Sequence, residues 1–165
     1  EYGIYDHAHE KIMRYDDSAI SLSTLYGIRG LIDNLTSRRV WLDCGGNIII
    51  EQLETLTFID VNSAKNISSG SNSILKTNME AAKEIARQLR LRNISGMIII
   101  DFINMKSEAS KDTLIEELKR YIKDDNTVCT FVDITKLGLV ELTRKKVKGT
   151  LAEQLKGLKP TGVQR

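Results

Sequence analysis

The sequence predicts an α/β fold in which helices flank a mixed sheet. Between residues 56 and 135, strand-like and helix-like segments alternate in the order strand, helix, strand, helix, strand. This alternation is typical of parallel strands joined by helices. Upstream, the glycine pair Gly45-Gly46 separates two short apolar runs, a pattern that indicates a hairpin. An antiparallel hairpin added to parallel strands makes the sheet mixed.

The chain before the third strand supplies an N-terminal helix and the hairpin. In residues 20–37, apolar residues recur at helical spacing, although Gly27 and Gly30 weaken the helix. The hairpin pairs VWL (40–42) with III (48–50) on either side of its glycine turn.

A polar loop and a helix follow the third strand, LTFID (56–60). The stretch 61–76 is rich in Ser, Asn and Gly, which indicates a loop close to a functional site. Thr77 and Glu80 have the spacing of a capping box, so we expect the helix to begin there and to continue through EAAKEIARQLRLR.

The remaining segments complete the alternation. Three consecutive isoleucines behind a glycine in GMIIIDFINM (96–105) predict a strand that is buried on both faces. Residues 107–125 have the apolar stripe of an amphipathic helix, and TVCTFVDIT (127–135) has the composition of a strand. We expect the basic segment 148–165 to be a flexible tail.

Length and composition bound the class of protein. The 165 residues suit one domain, which we place at residues 40–147, preceded by a separate segment of residues 1–39. Apolar residues make up 41% and charged residues 28%, as in ordinary globular proteins, and the net charge of +2 gives no overall signal for nucleic acid. The sequence has no apolar stretch of the ~20 residues that span a membrane, and its start does not resemble a signal peptide.

The two cysteines and the first residue indicate the cellular compartment of the protein and whether the sequence is part of a longer chain. Cys44 and Cys129 are far apart and neither lies in a C-x-x-C pair, so we expect no zinc site in this chain. Two unpaired cysteines fit a reducing compartment, and we expect a cytoplasmic location. The sequence begins with Glu1 rather than Met, so we expect it to be a piece of a longer protein.

Two aspartates end apolar strands on either side of one helix. Asp60 ends TFID and Asp101 ends IIID. If these strands are parallel, their carboxyl ends share one edge of the sheet, where α/β proteins usually bind ligands. Two carboxylates brought together repel each other, and Mg²⁺ relieves this repulsion with one or two carboxylates, phosphate oxygens and water as ligands. Strand-end aspartates also commonly cap turns, so both interpretations stay open at this point.

Polar and basic residues nearby suit a phosphate ligand. Asn62 and Lys65 follow the first aspartate and could orient a phosphate oxygen and neutralise its charge, although both residue types are common in loops. On the next helix, Lys83, Arg87 and Arg90 share one face at spacings of four and three. Such a stripe is either solvated surface or a contact for a polyanion.

Longer stretches resemble a known family. TFIDVNSAK, TNMEAAKEIARQLRLRNISGMIIIDFINM and LGLVELTRKK closely resemble the catalytic region of the ribonuclease E/G family, and the resemblance runs from about Val40 to Lys146. VWLDCGGNIIIEQLETLT resembles the hairpin that opens the family's deoxyribonuclease I-like subdomain. Residues 22–39 resemble the end of its ribonuclease H-like region.

The resemblance implies a Mg²⁺-dependent endoribonuclease, with Mn²⁺ as an alternative ion, that cuts single-stranded RNA in the bacterial cytoplasm. Asp60 and Asp101 match the family's two metal-binding aspartates, and Asn62 matches the asparagine that helps to place the scissile phosphate. The ion would activate water for attack on the phosphodiester. In the family these subdomains pair across a dimer, so a homodimer is one expectation. An isolated fragment without the family's OB-fold is expected to have low activity.

The sequence also departs from the family's pattern. The stretch DDNTVCTF lacks the arginine with which many relatives close the 5′-monophosphate pocket, which bears on 5′-end sensing. Asn93 and Asn104 stand where relatives often have aspartate, and LDCGG replaces the common LPSGG. The family's OB-fold, 5′-sensing region and zinc-link cysteine pair have no counterpart in this sequence.

Two alternatives belong to other functional classes. A non-catalytic RNA-binding or assembly module would use the basic helix face and the tail, and its RNA binding would depend on salt but not on metal. A deoxyribonuclease is the third interpretation, because the subdomain resembles deoxyribonuclease I, but fold alone is a weak guide to substrate.

Overall fold

The computed structural model describes residues 14–63 and 71–157. The chain divides into two compact units, Glu1–Asn34 and Leu35–Arg165. Among the predicted site residues, Lys65 lies outside the described residues.

The N-terminal part of the chain contains two short helices where the sequence predicted one. α1 spans Leu22–Leu25 and is capped by the side chain of Ser21, and α2 spans Ile28–Thr36. Gly27 lies between them with a φ of 59°, a conformation that favours glycine. The helical pattern is therefore interrupted at the first of its two glycines.

The second unit is built on a mixed sheet. Its described residues form six strands, namely β1 (Arg39–Trp41), β2 (Asn47–Gln52), β3 (Leu56–Asn62), β4 (Gly96–Asp101), β5 (Cys129–Ile134) and β6 (Val140–Arg144). Their order in the sheet is β1-β2-β3-β4-β6-β5. β3 and β4 are parallel, and the other neighbouring pairs are antiparallel. The predicted α/β class, hairpin and mixed sheet are confirmed, whereas β6 was not predicted.

Two long helices cover one face of this sheet. α3 (Ser71–Leu91) and α4 (Glu108–Lys123) pack against each other and share a core with the strands. Alternate strand residues point into this core, namely Ile48, Ile50, Ile59, Val61, Ile98, Ile100, Val140 and Leu142. Burying one such side chain contributes about 1.5–3 kcal/mol, so this face supplies most of the hydrophobic stabilisation.

The opposite face of the sheet is half open. Ile99 is only partly buried and Met97 is 51% exposed, although Ile98 and Ile100 on the same strand are fully buried. The prediction that this strand is buried on both faces is therefore wrong. Three isoleucines in a row suggested two covered faces, but α3 and α4 both pack on the side of Ile98 and Ile100.

α3 begins at Ser71, upstream of the predicted capping box. Thr77 lies inside the helix, where its hydroxyl donates to the Ser73 carbonyl at 3.1 Å. The prediction of a helix start at Thr77 is wrong because Ile74 and Leu75 pack against the core. This packing outweighs the low helix propensity of the surrounding Ser and Asn residues.

The basic tail begins with a short helix, α5 (Leu151–Gly157). The Leu151 N–H donates to the Arg92 carbonyl at 2.9 Å, and the Asn93 amide donates to two carbonyls just before α5. The expectation of a flexible tail over residues 148–165 did not anticipate this helix or these contacts with the end of α3.

Candidate active site at the ends of β3 and β4

Asp60 and Asp101 end two parallel, neighbouring strands. In the register of β3 and β4, Ile59 lies opposite Ile100, and Asp60 lies opposite Asp101. Adjacent strands are about 4.8 Å apart, and side chains alternate between the two faces along each strand. Because Ile59 and Ile100 point into the core, both aspartates point to the half-open face, where they are partly buried.

Asn62 joins this pair of carboxylates. Its side-chain amide donates a hydrogen bond to Asp60 Oδ2 at 2.8 Å. The two residues are two positions apart on β3, so their side chains share a face. The structure therefore brings together Asp60, Asn62 and Asp101, three of the residues that the sequence singled out.

Asn47 is a further polar residue at this edge, and sequence reasoning missed it. It pairs with Asn62 in the antiparallel register of β2 and β3. Its Oδ1 atom is buried and has no hydrogen-bond partner among the described residues. A buried acceptor left unpaired is costly, so this atom is suited to accept a hydrogen bond from a ligand. The register that follows from the Gly45-Gly46 turn is the one signal that could have revealed it.

The donor set fits a hard divalent cation. Neither Asp60 nor Asp101 forms an ion pair with another described residue. In the part of the chain that the structure describes, no three His, Cys, Asp or Glu side chains form a group that could hold a metal. Mg²⁺ needs only one or two carboxylates when phosphate oxygens and water complete its octahedral shell. Asp60 and Asp101 could therefore hold Mg²⁺ together with a bound phosphate.

The hairpin turn is fixed beside this edge. Glu80 on α3 accepts hydrogen bonds from the backbone N–H groups of Asp43 and Cys44, the latter at 3.2 Å. Gly46 lies so close to β3 that a Cβ atom would stand 2.7 Å from the Asn62 carbonyl oxygen. Any larger residue at position 46 would therefore shift the backbone that carries Asn62.

Asn78 on α3 holds the loop that follows Asp101. Its Nδ2 donates to the Ile103 carbonyl at 2.8 Å, and its Oδ1 accepts from the Ile103 N–H at 3.0 Å. Asn78 is fully buried. A buried amide that pairs with both backbone groups of one residue restrains that residue strongly. Asn78 therefore sets the path of the chain just beyond Asp101, a role that its place in the sequence did not indicate.

The predicted basic stripe does not lie with the carboxylates. Lys83, Arg87 and Arg90 are exposed on α3, on the side that faces away from the core. Arg87 pairs with Glu84 at 2.9 Å, and Arg90 donates to the Tyr121 carbonyl at 3.5 Å. The thickness of α3 and of the sheet separates this stripe from the face that carries the two aspartates. The stripe could reach only a different part of an RNA strand.

A buried ion pair lies at the opposite end of β4. Arg144 Nε donates to Asp125 Oδ2 at 2.8 Å, and these side chains are 3% and 5% exposed. Arg144 also donates to Asn93 Oδ1 at 3.2 Å. Burial favours the neutral form of Asp125, but hydrogen bonds from Arg144 and from the Thr127 N–H outweigh it and lower the pKa of Asp125. This network joins the ends of α3, α4 and β6 and stabilises the fold.

The second unit is thus an α/β domain with an acidic site at parallel strand ends, an arrangement suited to metal and phosphate. The chain matches the model of the Ribonuclease E/G family over residues 3–147. The chain belongs to the ribonuclease E/G family.

Curated relatives show the same relationship. The chain is 40% identical over 136 residues to the chloroplastic ribonuclease E/G-like protein of Arabidopsis thaliana, covering 80% of this chain and 14% of the relative. It is 44% identical over 137 residues to ribonuclease E of Synechocystis sp., covering 82% and 20%. It is 38% identical over 133 residues to ribonuclease G of Haemophilus influenzae, covering 79% and 27%. The chain therefore spans at most 27% of the length of these three relatives.

Among the described residues, no helix has both the length and the apolar character that a membrane crossing requires.

Proposed function

We propose that this chain is the metal-binding catalytic part of an endoribonuclease that cleaves single-stranded RNA with Mg²⁺. The observation that carries the proposal is the register of Asp60 opposite Asp101, with Asn62 hydrogen-bonded to Asp60. Membership of the ribonuclease E/G family supports RNA as the substrate, because the curated relatives are named as ribonucleases.

The residues of the site have distinct roles in this proposal. Asp60 and Asp101 hold Mg²⁺, which when bound supplies a polarised water and stabilises charge on the phosphoryl oxygens. Asn62 orients the Asp60 carboxylate through Oδ2, which leaves Asp60 Oδ1 free of that bond. Asn47 Oδ1 accepts a hydrogen bond from the bound strand. The cleaved strands would carry 5′-phosphate and 3′-hydroxyl ends.

A metal titration followed by backbone amide NMR tests the site directly. Mg²⁺ or Mn²⁺ should shift resonances around residues 60–62 and 101–104. These shifts should disappear in Asp60→Asn and in Asp101→Asn but remain in Asp133→Asn, which changes an exposed aspartate on β5. A wild-type chain without a localised response at millimolar metal would refute the metal site.

Cleavage of a 5′-labelled single-stranded RNA tests the activity. We expect Mg²⁺-dependent cleavage that falls at least about 100-fold in Asp101→Asn, because one of the two carboxylates that hold the ion is lost and even an outer-shell partner is worth about 10–100-fold. DNA strands of the same sequence serve as the control for substrate class. Faster cleavage of DNA than of RNA would favour the deoxyribonuclease interpretation.

A metal-independent RNA-binding or assembly module is the second candidate. The observation in its favour is that Lys83, Arg87 and Arg90 are exposed together, away from the acidic edge. RNA affinity that falls steeply with salt, drops in Lys83→Ala and stays unchanged in Asp101→Asn would support it.

We also propose a cytoplasmic location and a homodimer that forms through the catalytic subdomain. Sedimentation equilibrium tests the dimer. One relative is named as chloroplastic, so the location requires imaging of the tagged protein in its own cell.

A further inference from the structure

A cavity of about 360 Å³ lies directly beside Asp101. Three segments form its walls: the loop after β4, the first turns of α4, and the turn between β5 and β6. Asp101 is one of the lining residues, so the cavity reaches the strand end that carries one of the two aspartates. Ligand cavities for small molecules span about 300–1,000 Å³, and this volume therefore suits one nucleotide rather than several.

The walls of the cavity are held by specific bonds. Asn78 fixes Ile103 in the loop after β4, as described above. In the β5–β6 turn, the Thr135 N–H donates to the Leu139 carbonyl at 2.9 Å, and Thr135 Oγ1 accepts from the Leu139 N–H at 3.1 Å. Gly138 adopts a φ of 86° in this turn, which few other residues tolerate. The cavity is therefore preformed rather than dependent on a ligand to close it.

The cavity walls carry one cation, Lys136, and two carboxylates, Asp101 and Asp112, that form no ion pair with a described residue. Lys111 forms an ion pair with Glu108 at 2.8 Å, so these two charges neutralise each other. Lys136 forms no ion pair with any described residue. Asn104 is exposed at the loop and offers both a donor and an acceptor. Lys136 on the β5–β6 turn can therefore meet an anionic group on that side of the cavity, whereas Asp112 lies on α4, and Asn104 can meet a polar edge.

The rim of the cavity is unusually apolar for an exposed turn. Leu137 is 86% exposed and Ile134 is 40% exposed. Single-stranded RNA is recognised when an unstacked base is covered by protein side chains and hydrogen-bonded along its edge. The exposed Leu137 can cover one face of such a base, while Lys136 neutralises the adjoining phosphate.

We propose that this cavity binds one unstacked nucleobase of a single-stranded RNA, at a nucleotide next to the phosphate held at Asp60 and Asp101. The inference rests on the proposed function and extends it. Lys136 contacts the phosphate of that nucleotide, Leu137 covers the base, and Asn104 bonds to its edge.

The test uses a ten-nucleotide single-stranded RNA of mixed sequence, without metal, so that no cleavage occurs. Backbone amide shifts should appear at residues 102–104 and 135–138. The double variant Lys136→Ala/Leu137→Ala should bind this RNA about tenfold more weakly by fluorescence anisotropy, consistent with the loss of one base contact and one phosphate contact. The control is Leu53→Ala, which removes the same type of side chain, 58% exposed against 86% for Leu137, from the β2–β3 turn.

A strand of the same length with abasic nucleotides separates a base pocket from a phosphate contact. If the cavity binds a base, the abasic strand should bind the wild type more weakly and should show no shifts at residues 135–138. Equal affinity of the double variant and the Leu53→Ala control, or shifts confined to α3, would overturn the inference. So would equal affinity for the abasic and the normal strand, or no binding of either.

The metal titration described above separates this inference from the proposed function. A metal response at Asp60 and Asp101 without RNA shifts at residues 135–138 would leave the metal site standing and refute the base pocket. RNA shifts at residues 135–138 in a chain that shows no metal response would leave the base pocket standing and refute the metal site.

Discussion

The two faces of the sheet differ in whether their charged side chains are paired. On the closed face, beneath α3 and α4, the buried Arg144 is fully engaged, with an ion pair to Asp125 and hydrogen bonds to Asn93 and Ile94. On the half-open face, Asp60 and Asp101 lie opposite each other and form no ion pair with a described residue. Breaking a buried ion pair is costly because it leaves one charge uncompensated, whereas like charges placed together at a strand edge mark a candidate ligand site.

The largest expected difference between the faces comes from removing one carboxylate from each. Asp125→Ala should lower the free energy of unfolding by about 3–5 kcal/mol, because it leaves Arg144 buried without its counter-ion. Asp101→Asn should change it by less than about 0.5 kcal/mol, or stabilise the fold, because it relieves repulsion with Asp60. Urea unfolding of both variants measures the contrast. Equal losses in the two variants would contradict the distinction between the faces.

Two adjacent isoleucines on β4 allow the stability contributed by the two faces to be compared for apolar side chains. Ile98→Ala should cost about 2–5 kcal/mol, because Ile98 is fully buried and its removal leaves a cavity. Ile99→Ala should cost about half as much or less, since Ile99 is only partly buried on the other face. Both variants remove the same atoms from neighbouring positions, so each is the control for the other. A larger loss for Ile99→Ala in urea unfolding would show that another element covers the open face.

Asn78→Ala tests whether packing on the closed face affects the candidate site on the half-open face. The substitution should cost about 1–3 kcal/mol, because the partly buried N–H and carbonyl of Ile103 lose their partner. It should also weaken Mg²⁺ binding at Asp101 severalfold, measured by the metal titration. Thr113→Ala, which removes a side-chain hydrogen bond from an exposed part of α4, is the control. Metal affinity equal to that of the control would limit Asn78 to a role in stability.

The parts of the fold that could be predicted depend on local patterns. The hairpin follows from Gly45-Gly46, and the parallel pair follows from two apolar strands on either side of one helix. Once the strands are parallel, the meeting of Asp60 and Asp101 follows from their equal places at the strand ends. Local spacing therefore sufficed for the centre of the candidate site.

The residues that hold the loop and the turn beside the candidate site could not be predicted, because their hydrogen-bond partners are far away in the chain. Asn78 bonds to a residue 25 positions away, and Glu80 bonds to Cys44 at a separation of 36. In the sequence, Glu80 indicated a capping box, a local pattern that the packing of α3 overrides. The mistaken assignment of β4 as a strand buried on both faces has a similar cause, since an isoleucine run does not reveal on which side the helices pack.

The smallest expected effect is the dependence of the closed-face ion pair on pH. Because the pKa of Asp125 is lowered in the folded chain, its ion pair contributes fully above the unfolded pKa of about 3.9. This contribution is lost as the pH falls through the lower, folded value.

The free energy of unfolding of the wild type should therefore fall more steeply below about pH 4 than that of Asp125→Asn, which has no carboxyl to protonate. Urea unfolding between pH 6 and pH 2.5 measures both slopes. Parallel slopes would mean that Asp125 titrates alike in the folded and unfolded chains, and that the pairing of charge on the closed face contributes no pH-dependent stability.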